Sequence, residues 1–205
     1  MIAIAAGVLG MVGLVGAAAG HPVALVPLLL GVGFCLYFFR DPERIPPPGD
    51  HLVVSPADGR VLEVVEEHEA RFLDAPVTRV SIFMSPLDVH VNRSPVAGGV
   101  ELVRHTAGKF RAAFHDKASL DNERNAVVLE GGGRRYLVVQ VAGALARRIV
   151  CRRRVGDRLA RGERYGMIMF GSRVDLFLPA GVAPRVAKND RVRGGLTVIA
   201  EVPRP

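Results

Sequence analysis

The chain has 205 residues, of which 49% are hydrophobic, and a formal charge of +7, enough for one substantial globular domain. The charge is uneven: residues 1–39 hold no Lys, Arg, Asp or Glu, so all 27 basic and 20 acidic side chains lie in the rest. With three Tyr and no Trp, a nucleic-acid surface built on base stacking is disfavoured, and the positive balance fits anionic lipid headgroups or a solvated basic face.

Two apolar runs, about 2–20 and 23–39, flank His21-Pro22. Each approaches the ~17–20 residues that cross a bilayer as a helix. Residues 1–39 therefore read as a membrane-associated helical hairpin, spanning or, because the first run is rich in Gly and Ala, re-entrant. It lacks the basic n-region and shorter core of a secretory signal, so it is expected to be retained. Arg40 and Arg44 in "FFRDPER" place the following chain on the cytoplasmic side. The triple proline makes residues 40–50 a stiff juxtamembrane spacer.

From residue 51 the chain runs in short Val-, Ile- and Phe-rich segments such as "RVLEVVEE", "TRVSIFMSP" and "RRYLVVQV", punctuated by Gly, Pro, Asp and Asn. This is strand-and-turn patterning. Residues 51–205 are expected to form a mainly β domain, a compact barrel or sandwich. Only "GKFRAAFHDKASLDNERN" (108–125) offers a helical turn or two, or an irregular loop. "VGDRLARGERYGMI" and "KNDRVRGGLTVIA" each set Asp-Arg-apolar five residues ahead of a Gly. The pair resembles the hammerhead turns of biotinyl and lipoyl carriers, a barrel-sandwich-hybrid-like pattern, but without their modifiable Lys in "MKM". Cys35 and Cys151 form no metal-ligand spacing or disulfide framework.

"MFGSRVDLFLP" (169–179) places Ser172 after Gly171, ahead of an alternating run. A hydrolase nucleophile elbow, G-x-S-x-G, is excluded by Phe170 and Val174. In isolation Ser172 is a turn residue.

Four segments in order change that reading: "FFRDPER" (38–44), "SPADGRV" (55–61), "FMSPLDVHVNRSPVAG" (83–98) and "FGSRVDLFLP" (170–179). Together they resemble phosphatidylserine decarboxylase in its short bacterial form, over nearly the whole chain. The resemblance implies a proenzyme that cuts itself at Gly171–Ser172 into a β-chain, 1–171, and an α-chain, 172–205, which stay together as a heterodimer. Ser172 becomes a covalent pyruvoyl group, the enzyme's pyruvate cofactor. Glycine leaves its carbonyl unshielded, and the serine hydroxyl, a weak nucleophile, needs a base and an orienting group.

By the same resemblance Asp58 in "PADG" joins a histidine and Ser172 in a self-cleavage triad. His90 matches the first of two histidines that long-form members carry three residues apart. Arg93 stands where the second would be, and a guanidinium is a poor base. Either His90 takes that role or another histidine does, with His115 and His105 in reserve. Without the resemblance, Asp58-Gly59 reads as a hairpin turn and His90 as a structural strand histidine.

The implied reaction is decarboxylation of phosphatidylserine to phosphatidylethanolamine through a Schiff base between the pyruvoyl ketone and the substrate amine, with His90 returning the proton. Arg93 or residues of 147–154 are expected to hold the lipid phosphate, and the hairpin to keep the enzyme on the cell membrane. No metal and no nucleic acid enter this reading. An ether-linked serine phospholipid would use the same residues. A non-catalytic anchored β-domain binding acidic lipids or a partner would remain one uncut chain. A third possibility is a relative that cuts itself but has lost decarboxylation.

Overall fold

The computed structural model describes residues 10–11, 13, 15–16, 18, 20, 22–108, 122–143, 148–169 and 172–203, in two compact units, Met1–Arg40 and Asp41–Pro205. In the first, residues 10–11, 13, 15–16 and 18 are helical and Gly20 turns at φ +82°. The 3-10 turn Pro22–Leu25 then leads into α1 (Val26–Phe38). Pro27 lies in the first helical turn, where a missing N–H costs nothing. At the far end Arg40 lies 3.8 Å over the Tyr37 ring and donates to the Tyr37 carbonyl at 2.7 Å. The 13 residues of α1 rise roughly 20 Å, against about 30 Å of bilayer hydrocarbon. Among the described residues no helix is long and apolar enough to cross a membrane.

The second unit is mainly β, as expected. In chain order its strands are β1 (Leu52–Val54), β2 (Gly59–Glu69), β3 (Ala75–Met84), β4 (Val91–Arg93), β5 (Gly98–Thr106), β6 (Arg124–Gly131), β7 (Arg134–Val141), β8 (Ile149–Cys151), β9 (Arg158–Leu159), β10 (Arg164–Ile168), β11 (Ser172–Pro179), β12 (Ala183–Pro184), β13 (Arg191–Val192) and β14 (Val198–Glu201). A curled eight-stranded sheet runs β13-β2-β3-β11-β7-β6-β5-β9, and two small sheets run β1-β14-β12 and β4-β10-β8. Most of the 108–125 segment lies outside the described residues.

Strand alternation gives the large sheet two apolar faces. Val174, Leu176 and Leu178 of β11 join Val80, Ile82 and Val138 in the main core. Phe177 turns the other way, onto Val77, Leu137 and Val139. On that second face Arg173 and Asp175 form an ion pair at 2.9 Å with side chains only 2% and 3% exposed, so the charges of "RVDLFL" neutralise each other under cover.

The hammerhead similarity corresponds to an internal duplication. Asp157 accepts from the N–H of Arg154 at 2.9 Å, and Asp190 from that of Ala187 at 2.8 Å. Gly162 and Gly195 both take φ +76°, and their N–H groups donate to Ser94 and Ser55 respectively, each at 2.8 Å. Those serines open "SPVAG" and "SPADG", the matching segment of each half. The halves interlock reciprocally: Val54 N–H donates to the Pro95 carbonyl and Arg93 N–H to the Pro56 carbonyl, both at 2.9 Å. Gly98 and Gly59 are demanded by close approach, since a Cβ would fall 2.1 Å from the Glu130 oxygen and 2.0 Å from the Phe83 oxygen.

Within the Pro-rich 40–50 spacer, arginines of the β unit bind residues 41–49. Arg161 donates to the carbonyl of Pro47 at 2.6 Å and also to that of Gly49. Arg164 pairs with Asp41 at 2.6 Å and Glu43 at 2.7 Å. Arg44, expected as a juxtamembrane cation, is turned inward onto Asp58.

Candidate active site

β11 lies between β3 and β7, with Ser172 opposite Met84 at the end of β3. Alternation turns Ser172 to the main-core side with Val174. It is fully buried, and its Oγ–H donates to Met84 Sδ at 3.6 Å. A thioether is a weak acceptor, so this bond restrains the hydroxyl little.

After Met84 the chain makes a tight turn. Asp88 Oδ2 accepts from the Ser85 N–H at 2.8 Å and its Oγ–H at 2.7 Å, while the Asp88 N–H donates to the Ser85 carbonyl at 2.9 Å. The turn delivers His90, fully buried, with Nδ1 2.9 Å from the Asp88 carbonyl oxygen. A carbonyl only accepts, so Nδ1 carries the proton, and in neutral imidazole Nε2 is then the basic nitrogen. The His90 carbonyl accepts from Ile168 N–H at 3.3 Å. His90 is thus anchored to β3, the strand paired beside Ser172, through the turn, and to β10, the strand before Ser172, directly.

Beside Ser172 runs a buried chain of amides. Asn125 Nδ2 donates to Gln140 Oε1 at 2.9 Å, Gln140 Nε2 to Asn92 Oδ1 at 2.8 Å, and Asn92 Nδ2 to Met84 Sδ at 3.7 Å. All three amides are at most 3% exposed. Gly166 makes room for them: a Cβ there would lie 3.0 Å from Gln140 Nε2 and 2.4 Å from the Val150 oxygen.

Among the described residues Asp58 is joined to an arginine and a backbone N–H. Its carboxylate takes Arg44 Nη1 and Nη2 at 2.5 and 2.8 Å and the Gly194 N–H at 2.8 Å, and Arg44 also donates to the Gly194 carbonyl at 2.7 Å. These bonds make a clamp between residues 44, 58 and 194. The other half of the duplication has Ala97 where this half has Asp58, so the turn itself does not require the carboxylate.

Arg93 is 3% exposed and donates to the Gly162 carbonyl at 3.1 Å, Asp41 at 3.1 Å and the Pro42 carbonyl at 2.9 Å. Burial and the nearby Arg164 pull its pKa below the ordinary guanidinium value. It fastens residues 41 and 42. His105 reaches outward to Glu123 at 3.0 Å with its side chain 53% exposed. His115 and Gly171 lie outside the described residues. His68 pairs with Asp74 at the surface.

A cavity of about 440 Å³ opens over β10, lined by Asp41, Val91, Arg152, Arg153, Tyr165 and Met169 among others. Arg153 is engaged by Glu163 at 2.8 Å, whereas Arg152 is exposed and has no ionic partner among the described residues. Among the described residues no group of His, Cys, Asp and Glu is arranged to hold a metal ion.

Sequence reasoning missed Arg44, Gly194 and the amide chain. Comparing "SPADG" with "SPVAG" would have aligned Asn92 with Val53 and exposed a polar residue at a core position.

Comparison with known proteins gives a consistent picture. Residues 32–200 match the family model described as phosphatidylserine decarboxylase. The chain is 50% identical over 177 residues to a protein of Polynucleobacter asymbioticus named phosphatidylserine decarboxylase proenzyme, covering 86% of this chain and 82% of that one. Proteins of the same name from Granulibacter bethesdensis and Gluconacetobacter diazotrophicus are 49% and 52% identical, over 89% and 83% of this chain and 81% and 77% of theirs.

Proposed function

Since the chain belongs to the phosphatidylserine decarboxylase family, we propose that it is a self-processing, pyruvoyl-dependent carboxy-lyase that converts phosphatidylserine to phosphatidylethanolamine and carbon dioxide. The observation that carries this reading is the buried Ser172 hydroxyl opening β11 directly after Gly171, with the buried His90 held by the turn that follows β3 and by a backbone bond to β10.

In self-cleavage Ser172 Oγ adds to the residue 171 carbonyl while His90 Nε2 takes its proton, and the peptide becomes an ester. β-Elimination releases chain 1–171, and the new terminus loses ammonia by hydrolysis to become pyruvoyl. The residues present fit that group: Ser172, Met84 and His90 are all fully buried, which keeps water from cutting the ester before elimination. The pyruvoyl supplies a ketone that engages the substrate amine and accepts the electron pair left by carbon dioxide. His90 then delivers the proton that replaces the carboxylate.

The two chains stay together because β11 remains paired on both edges and Gly194 of the short chain stays bound to Asp58 and Arg44 of the long one. Of the basic residues expected to hold the lipid phosphate, Arg93 and those of 147–154, Arg152 at the cavity over β10 takes that role. The N-terminal unit exposes Val23, Leu29, Leu30 and Leu36 at 65–76%, an apolar surface suited to lipid. It holds the enzyme on the cytoplasmic face of the cell membrane.

The test is carbon dioxide release from carboxyl-labelled phosphatidylserine vesicles by purified protein. Release that is lost in Ser172→Ala supports the assignment. No release from a folded, self-cut wild type leaves a relative that has lost decarboxylation.

A further inference from the structure

The amide chain beside Ser172 has a direction. Each amide oxygen that accepts within it is filled, Gln140 Oε1 by Asn125 and Asn92 Oδ1 by Gln140. The amide of Asn92 is thereby locked with its N–H side toward Met84 Sδ, the same sulfur that receives the Ser172 hydroxyl. The duplication shows that the fold does not require an amide here: Val53, fully buried, occupies the matching position. A buried N–H set on a sulfur 3.7 Å away gains when an oxygen replaces that acceptor.

We propose that Asn92 is a further catalytic residue of the Ser172 site, its Nδ2–H donating to the oxygen that turns negative when Ser172 attacks. Gln140 and Asn125 are positioning residues that keep this donor facing the reaction. The inference rests on self-cleavage at Ser172. In that step the Oγ–C bond forms, the hydroxyl proton passes to the base, and the carbonyl π pair moves onto oxygen, where a preset donor is most effective. Collapse returns the pair, breaks the C–N bond, gives the proton to the departing nitrogen of residue 172 and leaves the ester. Asn92 stabilises the charged middle of this sequence and changes partner from sulfur to oxygen as it does so.

The test is the rate at which freshly refolded full-length precursor cuts itself, read by denaturing mass spectrometry, with folding followed separately by circular dichroism and melting. Asn92→Asp keeps the shape but removes the donor at neutral pH. It is expected to slow cleavage about 10²–10³-fold, the scale of a lost oxyanion donor. Its rate relative to wild type climbs as pH falls and the new carboxyl regains an O–H, whereas a structural role leaves that ratio flat. Gln140→Glu still accepts from Asn125 but cannot donate to Asn92, and is expected to slow cleavage about tenfold, the scale of partners that orient a working side chain. If Asn92→Asp does not fold, Gln140→Glu decides alone. Folded variants that cut themselves within about twofold of wild type overturn the proposal. A folded wild type that never cuts itself overturns the self-processing reading instead.

Discussion

Arg44 and Asp58 meet in a two-pronged ion pair at 2.5 and 2.8 Å, with side chains only 7% and 12% exposed. The arginine comes from the segment after the N-terminal unit, the aspartate from the turn before β2, and both bind Gly194 between β13 and β14. Removing one member leaves a buried uncompensated charge, at a cost of about 3–5 kcal/mol. Arg44→Ala, placed in the uncut Ser172→Ala background so that one chain unfolds, should lower denaturant stability on that scale. Arg44→Ala with Asp58→Ala should cost less than the two single changes added together.

The Asp88 turn orients His90 so that Nε2 is its basic nitrogen. His90→Ala should slow self-cleavage by about 10²–10⁴-fold, the usual contribution of a positioned general base. The change removes a buried ring, so the melting temperature is measured alongside. Cleavage at the wild-type rate would remove His90 from the mechanism.

Tyr165 supplies a pH dependence. Burial, with a smaller contribution from Cys151, pushes its phenol well above the ordinary value of 10.0, and among the described residues its hydroxyl has no hydrogen-bond partner. The folded state therefore holds this proton more tightly than the unfolded chain. Its stability contribution is complete below pH ~10 and is lost as pH rises through that value toward the higher folded pKa. Tyr165→Phe should be near neutral in stability at pH 7 and relatively more stable than wild type above pH ~10. The gap should widen by up to about 1.4 kcal/mol per pH unit, measured by urea unfolding at pH 8 to 11.

Arg93 and Arg152 separate support from binding. Arg93→Ala strips donors from Asp41 and from the carbonyls of Pro42 and Gly162. It should lower the melting temperature and leave affinity for phosphatidylserine vesicles within about twofold. Arg152→Ala should weaken that affinity about fivefold, the equivalent of roughly 1 kcal/mol for a cation near an anionic surface. Vesicle sedimentation at two salt concentrations measures both.

The β character of the second unit was legible because its strands carry β-branched runs closed by Gly, Pro and Asp, and the hammerhead turns because Asp157 and Asp190 cap them through local bonds. The clamp of Arg44 on Asp58 was hidden by distance, since nothing local in "FFRDPER" tells an arginine facing lipid from one turned under the sheet. Asn92 and Gln140 were hidden by strand alternation itself: a polar residue in a strand reads as outward-facing, and only the filled partner chain reveals that these two face inward. His105, held in reserve as a base, lies in a strand with its side chain 53% exposed. The straps on residues 41–50 were not legible because a run of prolines suggests an extended spacer, while Arg161 binds the carbonyl of Pro47 within it and Arg93 that of Pro42 before it.

The most direct test of the central claim is the denatured intact mass of purified wild type beside Ser172→Ala. The account predicts that wild type separates into 1–171 and 172–205, the short chain lighter by one ammonia than simple hydrolysis would leave it, while Ser172→Ala stays whole. A folded wild type that remains a single 205-residue chain would contradict it.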